Sequence, residues 1–253
     1  MRILATIAVL VGWLLVPSFG WAQDRKVDLE LVLALDSSGS VNAQEFNLQL
    51  QGYIDAFRNP AVIESISNGD EGAIAVALVI WAGDRKGGTR VIADWTLIDS
   101  AESADAFVEK ILATPRYILR DGTSLSNVIE TGSRMFVGNG FDGSRMVIDI
   151  SGDGTNNIGY EPFVARDLAV KAGVTINGLA ILTDFPELDL YYGENVVGGP
   201  GAFVVSAQNF QAFSAAVLNK LVREIAGIDS QLHDGPPRRV AHFPADDAVV
   251  LID

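Results

Sequence analysis

Four aliphatic runs, separated by stretches with helical spacing, constrain this chain more than any other feature. Residues 27–35 (VDLELVLAL), 73–81 (AIAVALVIW), 145–150 (RMVIDI) and 174–182 (VTINGLAIL) are dominated by Val, Ile, Leu and Ala. A strand that is apolar on both of its faces belongs in a parallel sheet covered by helices on both sides. The intervening segments supply those helices. Residues 43–57 place Phe46, Leu50, Ile54 and Phe57 at spacings of four, four and three, which is one face of a helix. Residues 101–112, 124–136 and 161–172 read as helices, the last stopped by Gly173. Residues 208–226 carry Phe210, Phe213, Val217, Leu221 and Ile225 on one face. Residues 90–95 alternate and read as a short edge strand joined to 73–81 by the turn at 83–88; residues 202–205 read as another short strand. The expectation is an α/β, doubly wound, mostly parallel sheet.

Residues 1–22 carry one charge, Arg2, then an apolar stretch from Ile3 to Val16, with small residues Gly20 and Ala22 before polar Gln23-Asp24. This is the pattern of a secretory signal peptide cut after Ala22. The fourteen apolar residues would rise only about 21 Å as a helix, against a hydrocarbon core of about 30 Å. The expectation is a secreted or periplasmic protein with no membrane span after cleavage, one domain over 23–228 and a tail over 229–253. That tail is compositionally distinct and contains Gly235-Pro236-Pro237-Arg238-Arg239.

The chemistry narrows by exclusion. Eighteen Lys and Arg against 32 Asp and Glu give a net charge of −14, which offers no electrostatic footprint for nucleic acid or an anionic membrane. There are no cysteines, hence no disulfide, thiolate nucleophile or thiolate metal site. The only histidines, His233 and His242, lie in the tail, which argues against a Ser-His-Asp hydrolase or a histidine zinc centre in the main domain.

In an open parallel sheet, ligands bind beyond the carboxyl ends of the strands. Three loops are expected at that edge: Asp36-Ser37-Ser38-Gly39-Ser40, Arg120-Asp121-Gly122-Thr123, and Ser151-Gly152-Asp153-Gly154-Thr155. Each combines carboxylate, hydroxyl and glycine. That is a donor set for a hard cation, which takes about six oxygens and keeps several waters. Hydroxyls of Ser38, Ser40 and Thr123 can coordinate directly, while Asp36 and Asp153 can hold metal-bound water and balance charge. A bland reading competes for each loop: Ser and Asp before a helix also cap its free N–H groups, and Thr123 could cap the helix at 124.

Together these residues resemble the von Willebrand factor type A domain and its metal-ion-dependent adhesion site. That pattern is D-x-S-x-S after the first strand (Asp36, Ser38, Ser40), a threonine in a later loop (Thr123), and an aspartate-glycine after a later core strand (Asp153-Gly154). The resemblance covers about residues 25–228 and is strongest to secreted bacterial members of uncharacterised function. It implies a six-stranded, mostly parallel sheet with one antiparallel edge strand. It also implies Mg²⁺ (or Mn²⁺) whose open position takes a Glu or Asp carboxylate from a protein partner, and binding rather than catalysis. One departure is that Gly152 intervenes between Ser151 and Asp153, so Asp149 competes with Asp153 for the place in the pattern. The runner-up function is Mg²⁺-dependent phosphoester hydrolysis, with Asp36 as nucleophile; Ser38 then stands where an acid/base carboxylate is expected. A structural domain whose metal site has no ligand role is a third possibility.

Three further segments are weighed and set aside or left open. Residues 138–143 match G-x-G-x-x-G but follow a helix and precede a strand, the reverse of a dinucleotide site. The loop after Asp153 fails as a calcium loop, with Ile158 where glycine and Val164 where glutamate are needed. Phe185, Tyr191 and Tyr192 suit either a partner surface or core packing.

Overall fold

The computed structural model describes residues 23–83, 88–113, 119 and 122–227. The expected signal segment 1–22, the expected tail with its histidines, and Arg120-Asp121 lie outside the described residues. The elements in chain order are β1 (Arg25–Val27), β2 (Leu29–Asp36), α1 (Ala43–Phe57), α2 (Pro60–Ser67), β3 (Ile74–Trp81), β4 (Thr89–Ile98), α3 (Ala101–Ala113), α4 (Leu125–Met135), β5 (Phe141–Gly143), β6 (Met146–Gly152), α5 (Pro162–Lys171), β7 (Val174–Ile181), α6 (Leu188–Asn195), β8 (Val204–Ala207) and α7 (Phe213–Ile225). The main sheet has six strands in the order β4-β3-β2-β6-β7-β8, and only the β3–β4 pair is antiparallel.

Side-chain parity sorts the two faces of this sheet. In β2, Leu29, Leu31, Leu33 and Leu35 pack with Phe46, Tyr53 and Phe57 of α1, Phe107 of α3 and Phe213, Val217 and Leu221 of α7. Val32 and Ala34 pack with Leu125 and Val128 of α4, Ala165 and Ala169 of α5, and Leu188 and Tyr192 of α6. The result is a three-layer α/β/α molecule with helices on both faces, as the aliphatic runs require. β2 and β3 are buried along their whole lengths.

Three departures from the sequence reading have local causes. The run 27–35 is two strands, not one. Asp28 interrupts it by accepting hydrogen bonds from Glu71 N and Ala73 N, at 2.9 and 3.2 Å. β1 then pairs with β5 in a separate two-stranded parallel sheet. The edge strand is ten residues long rather than six, extending through Ile98 on irregular pairing with β3. The segment 208–226 is not one helix: Asn209 caps a 3₁₀ turn, Phe210–Ala212, before α7 begins.

Candidate metal centre

The end of β6 at Gly152 decides which aspartate can reach the carboxyl edge. Val147, Asp149 and Ser151 share the face toward α1 and α7, where Val147 joins the apolar core, while Ile148, Ile150 and Gly152 share the other. Asp149 is fully buried and ion-paired to Lys220 Nζ of α7 at 2.7 Å. Asp153, just past the strand, turns to the site instead. Its Oδ1 accepts from Ser40 Oγ at 2.7 Å, and Ser40 Oγ lies 3.2 Å from Ser38 Oγ. Asp153 therefore stands in the site and Asp149 under α7.

Asp36 ends β2 on the face shared with Trp81 and Tyr192. Its Oδ1 accepts from Ser38 N at 2.7 Å and its Oδ2 from Asp153 N at 3.4 Å, so the carboxylate holds both loops. Gln49 of α1 donates to the Asp36 carbonyl at 3.1 Å and fixes the strand end from the other side. Gly152 is a glycine for lack of space. A Cβ there would lie 2.5 Å from Tyr192 Oη, 2.8 Å from Asp36 Oδ2 and 3.2 Å from Trp81 Cζ2.

Thr123 is brought in by two asparagines. Asn157 Oδ1 accepts from Thr123 N at 2.8 Å, and Asn157 N donates to the Thr123 carbonyl at 2.9 Å. Asn156 Oδ1 accepts from Leu125 N at 2.8 Å, so the loop after β6 carries the start of α4. Gly122 permits this approach, because a Cβ there would sit 2.2 Å from Ile158 Cδ1. A Cβ on Gly154 would lie 3.8 Å from Thr123 Oγ1, which sets that hydroxyl against the Asp153-Gly154 turn.

The capping alternatives are taken by other residues. Asn42 caps α1 in a capping box with Glu45, leaving Ser38 and Ser40 free of that duty. Ser124 caps α4 through Asn127 N, leaving the Thr123 hydroxyl free of it as well.

Electrostatics give the cluster its chemical preference. Burial, then the charge of Asp153, push the Asp36 carboxyl up to about 7. Burial also raises Asp153, opposed by the Ser40 hydrogen bond and assisted by the charges of Asp184 and Glu45. Among the described residues the charges that raise these two groups are the carboxylates of Asp153, Asp184 and Glu45, so a cation is what the pocket favours. Tyr192 Oη, fully buried against Asp36, has no hydrogen-bond partner among the described residues. Among those residues no three His, Asp or Glu side chains converge on one point. The donor set is two carboxylates with three hydroxyls, which suits a hard cation that keeps part of its water. Gln49, Asn156, Asn157 and Tyr192 were not singled out as parts of this site from sequence. An Asn-Asn pair directly after D-G-T was the one visible hint.

Residues 26–229 match the family described as "Protein of unknown function (DUF1194)". The chain belongs to that family. No curated protein matches this DUF1194 chain. Among solved structures it is similar to proximal thread matrix protein 1 from the mussel byssus, solved with a zinc-occupied MIDAS motif, at 16% identity and a TM-score of 0.60 over 81% of this chain and 50% of that one. It is similar to the pilus adhesin SpaC from Lactobacillus rhamnosus GG at 15% identity and TM-score 0.57, over 81% and 31% of the two chains. It is also similar to a von Willebrand factor type A protein from Catenulispora acidiphila at 14% identity and TM-score 0.52, over 79% and 42%. The DUF1194 chain thus spans half or less of the length of these proteins. At such identities they show the fold, and that fold is of the von Willebrand factor type A kind. Among the described residues no helix is long and apolar enough to cross a membrane.

Proposed function

We propose that this chain is a metal-dependent protein-binding module that works outside the cytoplasm, secreted or periplasmic. Asp36, Ser38, Ser40, Thr123 and Asp153 would hold Mg²⁺ (or Mn²⁺), the hydroxyls as direct ligands and the carboxylates through bound water. With neutral direct ligands the cation stays under-neutralised, and its open position gains most from a Glu or Asp carboxylate supplied by a protein partner. The observation that carries the reading is the Ser38–Ser40–Asp153–Asp36 chain of contacts, with Thr123 Oγ1 against the same turn and capping duties assigned elsewhere. The similarity in fold to the pilus adhesin SpaC and to the mussel protein with its zinc-occupied motif supports it. Binding rather than catalysis is favoured because Ser38 occupies the position where phosphoester chemistry would place an acid/base carboxylate.

The test is a pull-down from a periplasmic or extracellular extract with the tagged chain, in Mg²⁺ and in a chelator. The wild type should retain a partner only in Mg²⁺, and Ser38→Ala/Ser40→Ala should retain none. A partner held equally in chelator, or by the double variant, would contradict the proposal.

A further inference from the structure

Past the end of β7 the chain runs through Asp184-Phe185-Pro186-Glu187 before α6 begins. Phe185 is 47% exposed in this loop, although a large apolar side chain left in water forfeits its burial energy. With Thr155, Pro186, Glu187, Leu188 and Tyr191 it lines a cup of about 430 Å³. The cup shares a wall with the candidate metal centre. Thr155 is two residues beyond Asp153, and the Tyr191 hydroxyl accepts from Asn156 N at 3.2 Å in the loop that also holds Thr123. Asp184, next to Phe185, lies close enough for its charge to act on Asp153.

The two described loops that form the cup are one-sided in charge. Glu161 acts on Tyr191, Glu187 lines the cup, and residues 153–161 and 182–191 contain no Lys or Arg. The cup is therefore apolar inside and acidic around, beside a centre that would take a carboxylate. A uniformly acidic ligand would be repelled at the rim, and a uniformly basic one would have nothing to offer the cation.

We propose that the cup is a second subsite of the same binding face, and that the partner segment carries an acidic residue beside a large apolar one, within a basic stretch. The acidic anchor rests on the metal reading above; the apolar and basic requirements come from the cup and its rim. Phe185, Leu188 and Tyr191 would bury the apolar side chain, while Asp184, Glu187 and Glu161 would meet the flanking cations.

The experiment uses fluorescent twelve-residue peptides, each with one Glu in a Lys-Ser-Gly background. Phe or Ala is placed one or two residues to either side of the Glu. Anisotropy titrations are run with the full chain in Mg²⁺, after calorimetry of Mg²⁺ alone. At its best spacing the Phe peptide should bind about tenfold more tightly than the Ala peptide, and replacing the lysines by serines should weaken both. Phe185→Ser, at an exposed loop position, should abolish the Phe advantage while Mg²⁺ uptake persists. A Mg²⁺-loaded protein that binds Phe and Ala peptides alike overturns the cup proposal alone, and one that binds neither overturns the acidic anchor as well. A protein that takes up no Mg²⁺ overturns the metal reading, and the acidic anchor with it.

Discussion

Asp149 and Asp153 stand four residues apart, on the same side by the two-residue period of a strand, and it is the end of β6 at Gly152 that sends them to different destinations. The alternation Val147, Asp149, Ser151 was in the sequence; what it lacked was the identity of the helix each face would meet. D-x-S-x-S was legible because it directly follows a buried run, and Thr123 because a hydroxyl after Asp-Gly precedes a helical segment. The Asn157–Thr123 exchange was not legible, since its two residues come from separate loops and no periodicity joins them. Gly152 looked like an interruption of the pattern and is instead required by packing. Gly152→Ala drives a methyl into the Tyr192 hydroxyl, the Asp36 carboxylate and the Trp81 ring. Overpacking of this kind costs about 1–3 kcal/mol. We expect a loss of that size in urea titrations, with weakened Mg²⁺ uptake by calorimetry; wild-type values for both would contradict the assigned role.

Long elements announced themselves and short ones did not. α1 spans four turns with its apolar face at helical spacing, and its boundaries were read without error. α2 and α6 have eight residues each, and each buries only two side chains in its helix, too few to establish a period. Phe185, Tyr191 and Tyr192, left between surface and core by their sequence, divide between both: Phe185 is exposed, Tyr191 half-buried and Tyr192 fully buried.

The interface between α7 and the sheet is a polar arrangement that no amphipathic pattern predicts. Lys220 is fully buried, 2.7 Å from Asp149 Oδ1 and 3.3 Å from Glu224 Oε2. Asn177 of β7 donates to Glu224 Oε1 at 2.6 Å, and Tyr53 and Ser151 border the cluster from α1 and β6. Burial pushes the Asp149 carboxyl up to about 7, against the pull of Lys220 and with the push of Glu224. The unfolded chain then loses this proton near pH 4 while the folded chain keeps it to about 7. This group's contribution to stability falls as pH rises through that interval and levels off above it. Lys220→Met leaves the carboxylates without their cation, at a cost of about 3–5 kcal/mol. Denaturant titrations at pH 5 and pH 8 should show the larger loss at pH 8. Equal losses at both would mean that Asp149 does not hold the proton.

At the scale of the whole molecule, sheet class and helices on both faces were implied by four aliphatic runs and their spacing, and the antiparallel edge by the family resemblance and the turn joining 73–81 to 90–95. A fully apolar strand has few alternatives to burial between layers. The small β1–β5 sheet was invisible because three-residue strands carry no period. What function the layers serve was legible only where three loops share one edge, and an acidic chain without cysteine left few other chemistries there. The account rests on a cation held at that edge, so the most direct measurement is a calorimetric titration of Mg²⁺ into the purified chain and into its Ser38→Ala/Ser40→Ala variant. One Mg²⁺ taken up per wild-type chain, and none by a variant with unchanged circular dichroism, is the predicted result. No uptake by the wild type, or equal uptake by both, would contradict it.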